Sequence, residues 1–216
     1  MRRLLALHLP YLATDRIARR RSAADEQNRP LVLTALRGAT QMVCQVNLAA
    51  AAAGLRPGLP LGQAQAMAPQ LVICAADERQ DRRLLGRLAA WALRFSPLVE
   101  PVPPDLLLLD ITGCPHLFGS ERRLAQQLLQ SVQQRGFHAR CAVADTVGAA
   151  IALATAGHET LIVVPAEETS AYLAPLPPLA LRLEPAVAAQ LDALGVRTIG
   201  DLLMLPRATL PARFGG

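Results

Sequence analysis

Two short apolar runs constrain this chain more than any other feature. Leu4 to Leu9 (LLALHL) and Leu106 to Ile111 (LLLLDI) are nearly continuous in leucine, and each is too short for an amphipathic helix. Runs of this kind read as strands covered on both faces. The segments between and after them carry helical spacing. Glu78 to Phe95 places Leu84, Leu85, Leu88, Trp91 and Ala92 on one face, with Arg79, Arg82, Arg83 and Arg87 largely elsewhere. Ser120 opens a helix to about Gln134, with Leu124, Leu128, Leu129 and Val132 inward. With strands at 99–102, 106–111 and 138–143, the order is strand, helix, strand, strand, helix, strand. That βαββαβ pattern is the ferredoxin-like arrangement of an α+β protein.

The first strand is followed by an inserted region. Residues 29–34 and 41–46 read as strands around an Arg37-Gly38 turn, with short helices at 48–53 and 61–67. Beyond the second half of the pattern come a helix at 146–156, a strand at 161–164 and a Pro-rich linker from Leu173 to Pro178. Two short helices follow at 185–194 and 199–205, hinged at Gly195.

Composition excludes several classes. No apolar run reaches the ~18 residues needed to span a bilayer. The amino terminus mimics a signal peptide, but His8 and Pro10 break its apolar centre and charged residues follow. The expected location is the cytoplasm. Cys44, Cys74, Cys114 and Cys141 have no metal-ligand spacing and read as small hydrophobes; the four histidines form no ligand cluster. No metal and no cofactor are expected. All 22 basic residues are arginine, so lysine chemistry is excluded. Residues 1–140 carry 18 Arg against 10 acids (+8), whereas residues 141–216 carry four against seven (−3). A basic amino-terminal part is compatible with nucleic acid, though few aromatics are available for base stacking. The Arg16/Arg19/Arg20 cluster reads first as a solvated face.

Three segments together resemble the Y-family, or translesion, DNA polymerases. Gly54 to Ala64 (GLRPGLPLGQA), continuing to Cys74, is similar to that family's fingers segment. Phe95 to Gly113 (FSPLVEPVPPDLLLLDITG) parallels the family's Y-S-P-x-V-E-x-x-S-I-D-E-A-Y-L-D-V-T-G without a gap. Leu191 to Leu202 (LDALGVRTIGDL) resembles the second half of its helix–hairpin–helix thumb. The resemblance implies a palm at 1–10 and 75–165, small α/β fingers at 11–74 and a helical thumb at 166–216. The family's little finger and carboxy-terminal tail have no counterpart, so the chain reads as a truncated piece.

The departures bear on activity. Such a polymerase needs clustered palm carboxylates to hold two divalent cations. The family's Asp-x-Asp falls on His8 and Pro10, and its Asp-Glu on Asp105 and Leu106. Its triphosphate-binding Tyr-x-x-Arg falls on Leu48 and Ala51, and its ribose-gating aromatic near Ala13. These four palm positions are therefore degenerate, and no catalytic residue is assigned. His8 reads as a hydrogen-bonded core residue, Asp105 as a solvated carboxylate and Asp110 as a turn acceptor beside Thr112.

This pattern of loss resembles the ImuB-type branch, the inactive polymerase-like subunits of a bacterial damage-induced mutagenesis cassette. That resemblance implies a non-catalytic adaptor in SOS-induced translesion synthesis. Its implied partners are a RecA-like ImuA-type protein, the sliding clamp and an error-prone replicative-type (C-family) polymerase. The thumb's first hairpin has become Leu183-Glu184-Pro185. The second keeps Gly195, Arg197 and Thr198 and could hold one DNA phosphate through backbone N–H groups. DNA binding is expected to be weak. Two alternatives stay open: a divergent active polymerase using Asp105 and misaligned acids such as Asp15, or a plain DNA-binding module.

Overall fold

The computed structural model describes residues 2–20 and 29–205. Its larger sheet has the order β5-β6-β1-β7-β8. β1 (Leu4–His8) lies at the centre, antiparallel to β6 (Leu106–Asp110) and to β7 (Arg140–Ala144). β5 (Leu98–Val102) closes one edge as a hairpin with β6, and β8 (Leu161–Val163) runs parallel to β7 at the other. The expected βαββαβ palm is thus present, extended by one parallel strand.

The burial of β1 explains its composition. Side chains alternate across a strand. Leu5 and Leu7 enter a cluster with Leu85, Leu88, Leu124 and Leu128, from α4 (Glu78–Ala92) and α6 (Glu121–Gln133), the latter preceded by the short α5 (Pro115–Phe118). Leu4 and Ala6 face the opposite layer, built on α7 (Val147–Ala156). Both faces are dry, so no polar alternation survives. The helices start where their caps dictate. Asp77, Ser120 and Thr146 each accept a hydrogen bond from the third amide of the helix that follows. At the end of α7, Gly157 is required by crowding, because a Cβ there would sit 2.4 Å from the Leu153 carbonyl oxygen.

The smaller sheet has the order β3-β2-β4. β2 (Leu31–Arg37) and β3 (Thr40–Val46) form the expected hairpin, turning at Gly38 with φ +61°. α2 (Leu48–Ala52) and α3 (Leu61–Met67) pack Ala50 and Ala64 against Val32 and Val43. Two elements here were not anticipated. α1 (Leu12–Ala18) follows β1 directly, and β4 (Val72–Ala75) pairs in parallel with β2.

The Pro-rich stretch at 173–178 is no linker. It leaves α8 (Thr169–Leu173), buries Leu176, and enters a 3-10 turn (Pro178–Leu181) whose Ala180 is also buried. Both residues, with Ile199 of α10 (Ile199–Leu203), complete the α7 layer; α9 (Pro185–Ala193) lies between them in sequence. The last helices are anchored to the sheet because the apolar face of α7 would otherwise stay wet.

A candidate site at the carboxyl end of the central strand

β1 ends at His8, opposite Leu106 on one neighbour and Arg140 on the other. The loop that follows carries Pro10, which lines two cavities. The smaller, about 280 Å³, is also lined by Ala13, Gln45, Glu78, Asp81 and Asp105. Of the four palm positions singled out in the sequence, Pro10 and Asp105 line this cavity. His8 Nε2 lies 3.5 Å from Asp105 Oδ2, and the buried Nδ1 has no partner among the described residues. Asp105 is therefore half-buried against an imidazole rather than freely solvated, and His8 faces it instead of being satisfied within the core. Leu106, which pairs directly with His8 across the strands and so shares its face of the sheet, is buried in the α7 layer with Leu4 and Ala142. Among the described residues no three His, Cys, Asp or Glu side chains converge to hold a metal ion.

The larger cleft, about 1090 Å³, lies across α1. Its lining includes Tyr11, Asp15, Arg19, Arg135, His138 and Arg140. Asp15 is buried and bound twice by one residue: His138 donates its backbone N–H at 2.8 Å and its ring Nδ1 at 2.9 Å. Burial pushes the Asp15 carboxyl up from its ordinary range, against the lowering effect of those hydrogen bonds. Asp15 is thus committed to His138 and does not join Asp105. Sequence spacing could not find this pair, since 123 residues separate its members.

The arginine cluster is split. Arg16 is buried, donating from Nε to Asp81 Oδ1 at 2.6 Å, which ties α1 to α4. This corrects the expectation of one solvated face. Arg19 instead lies over the Phe137 ring at 4.3 Å, and Arg20 is exposed. Asp110 accepts from Thr112 N and Arg2 Nε, as a turn acceptor should, and the Thr112 hydrogen bond lowers its pKa. Of the cysteines, Cys114 and Cys141 are buried, while Cys44 and Cys74 are only half-buried.

The thumb hairpin keeps its shape but not its free donors. Gly195 takes φ +79°, as the tight turn requires. The Gly195 and Val196 amides donate to the Asp192 and Leu191 carbonyls, and those of Arg197 and Thr198 donate to Asp201 Oδ2. Thr198 Oγ1 in turn accepts from Asp201 N, closing a capping box. The hydrogen bonds from Thr198 lower the Asp201 pKa. The amides that could have met a DNA phosphate already meet a carboxylate of the chain itself. Of the three, Arg197 alone carries a charge; its side chain is 80% exposed and its Nε lies 3.9 Å from Asp192 Oδ1.

A palm with this strand order, a small inserted sheet and a helical thumb is the fold of the Y-family DNA polymerases. DinB from Sulfolobus solfataricus matches it with a TM-score of 0.76 at 18% identity, over 99% of this chain and 63% of that one. An insertion ternary complex of Dbh DNA polymerase matches with a TM-score of 0.78, over 97% and 62%. Residues 17–155 match the impB/mucB/samB family, and the chain belongs to it. It is homologous to Protein ImuB of Caulobacter vibrioides, with 46% identity over 162 residues, 75% of this chain and 35% of that protein. DNA polymerase IV of Desulfatibacillum aliphaticivorans is 30% identical over 177 residues, 81% of this chain and 45% of the relative. The chain therefore spans less than half the length of these curated relatives. No helix among the described residues is long and apolar enough to cross a membrane.

Proposed function

We propose that this chain is part of a non-catalytic, polymerase-like adaptor in SOS-induced, error-prone translesion synthesis in the cytoplasm. One observation carries the reading: at the end of β1 Asp105 faces His8 at 3.5 Å and, among the described residues, no third acid or histidine converges with them to hold a metal ion, while Leu106 is buried in the core. Two-cation phosphoryl transfer needs several acids clustered at that point, and an imidazole is a poor ligand for Mg²⁺. The exposed face of α2 carries Leu48 and Ala51, which offer a triphosphate no charge. The resemblance to ImuB supplies the rest: a RecA-like ImuA-type partner, the sliding clamp and an error-prone C-family polymerase that performs the chemistry. DNA contact is weak and centred on Arg197.

Primer extension on undamaged and abasic templates, with Mg²⁺ and with Mn²⁺, tests the inactivity. No product above a mock-purified control is expected. Extension that disappears in Asp105→Ala overturns the reading. A second reading, an active translesion polymerase, is favoured by the 30% identity to a DNA polymerase IV; the same assay decides between them. The adaptor role is checked by copurification of the full-length protein with the RecA-like partner and the clamp, each tested singly.

A further inference from the structure

We infer that the cleft beside α1 is a docking site for an acidic, amphipathic helical segment of a protein partner. This deepens the adaptor reading and rests on it, but the observations are local to the cleft.

The first observation is charge. Arg19, Arg135 and Arg140 line the cleft, and the one lining acid, Asp15, is buried and hydrogen-bonded to His138. Among the described residues neither Arg135 nor Arg140 meets a carboxylate at ion-pair distance. Their guanidinium groups are nonetheless held in place. Arg135 donates to the Ser131 carbonyl at 2.7 Å and stacks on Trp91 at 4.3 Å, and Arg140 reaches the Thr155 carbonyl at 3.4 Å. Charges fixed in advance lose less side-chain freedom when a partner arrives.

The second observation is the apolar part of the lining. α2 contributes Leu48, Ala49 and Ala52, and α1 contributes Ala18, a short-sided apolar surface. Leu48 is 52% exposed. A cleft whose lining is partly apolar and partly cationic fits a helix that is apolar on one side and acidic on the other. A helix about 10 Å across fills ~1000 Å³ in roughly two turns, which matches the cleft at about 1090 Å³.

The third observation separates protein from nucleic acid. Single-stranded nucleic acid binds by stacking bases on aromatic faces. Here the three lining rings are engaged: Tyr11 packs edge-on against His138 at 5.3 Å, His138 is held by Asp15, and Phe137 lies under Arg19. Carboxylates on a folded segment need only the arginines.

The test uses fluorescence anisotropy with the protein and three labelled probes. These are a designed helical peptide of about five turns with leucines on one face and glutamates on the other, its glutamate-to-lysine counterpart, and a single-stranded thymidine oligonucleotide. The glutamate peptide is expected to bind, at least about tenfold more weakly in the Arg135→Glu/Arg140→Glu variant. Ala52→Trp, which fills the apolar wall without changing charge, is expected to block it too; circular dichroism confirms that both variants fold. Absence of glutamate-peptide binding overturns the inference, as does equal binding of the lysine peptide. Oligonucleotide binding that the charge reversal abolishes, in place of peptide binding, assigns the cleft to nucleic acid and overturns it as well. Failure here leaves the primer-extension result, and so the adaptor reading, untouched. Primer extension by the protein removes the adaptor reading whatever the peptides do.

Discussion

Two His–Asp pairs flank the same loop, and they differ in kind. His8 and Asp105 meet at 3.5 Å, with the other imidazole nitrogen buried and unpartnered. His138 and Asp15 meet through two hydrogen bonds of 2.8 and 2.9 Å, with the carboxylate buried. The loose pair occupies the corner where a Y-family polymerase keeps its acids. The tight pair stands on the other side of α1, in a cleft lined with arginine. A loose contact between two polar groups fits the proposed absence of two-cation chemistry at this corner. A buried carboxylate with two donors is one the fold maintains, because leaving those donors unpaired is costly.

The partition between the pairs is the largest lever. Arg16 of α1 and Asp81 of α4 form a buried ion pair at 2.6 Å, both side chains close to fully covered. Asp81→Leu strands the guanidinium without its counter-charge and is expected to cost about 3–5 kcal/mol. Arg16→Met together with Asp81→Leu is expected to recover most of that loss. Denaturant unfolding of the three proteins measures it. Equal losses for single and double variants would mean that packing, not charge, holds the wall.

Next in size is the tight pair. Asp15→Ala leaves the His138 amide and ring donor without an acceptor, an expected loss of about 1–3 kcal/mol. Its pH dependence has a definite sign. Burial raises the Asp15 pKa in the folded state, so folding favours the protonated carboxyl. The cost of ionising it is absent below the ordinary carboxylate pKa and complete above the raised one. The advantage of the native protein over Asp15→Asn therefore shrinks as pH rises above the ordinary carboxylate range. An advantage that grows there instead would sink the assignment.

The loose pair should be nearly indifferent. His8→Leu removes an unpartnered nitrogen and a long contact from an apolar strand, so stability should change by less than about 1 kcal/mol. If it falls as far as in Asp15→Ala, the two pairs are not different in kind.

The scaffold was legible because leucine-rich runs and 3.6-residue spacing report burial, and burial decides the palm. Caps at Ser120 and the hairpin at Gly38 were legible for equally local reasons. α1 was not, because LATDRIA buries its charged members through partners far away in sequence: Asp15 on His138, Arg16 on Asp81. β4 escaped because its four residues gain strand character only by pairing with β2. The linker at 173–178 was misread for a related reason. Proline marks a turn, but whether the turn is solvated depends on α7, whose apolar face claims Leu176 and Ala180. His8, Pro10, Asp105 and Leu106 could be proposed as the altered palm positions from sequence alone, but the facing of His8 by Asp105 required the fold.

The smallest effect concerns a third carboxylate, which tests whether tight pairing always signals burial. Asp201 is on the surface yet closes the thumb hairpin by accepting from Arg197 and Thr198, and its pKa is lowered by Thr198. A lowered folded pKa contributes stability that is present above the ordinary carboxylate value and lost as pH falls through the folded one. Hydrogen exchange at the Arg197 and Thr198 amides is therefore expected to gain protection as pH rises through that window, after correction for intrinsic rates. Asp201→Asn should lose this gradient while global unfolding barely moves, because the box orders one turn and supports little else. Were the unfolding midpoint to shift with the exchange rates, the hairpin would be coupled to the α7 layer through Ile199, whose amide donates to the Leu176 carbonyl at 2.7 Å. The thumb would then be part of the palm's cooperative unit rather than a separately opening turn. Asp201→Ala, which removes the acceptor altogether, would free the Arg197 and Thr198 amides for a phosphate, so any rise in DNA affinity should appear in that variant and not in His8→Leu.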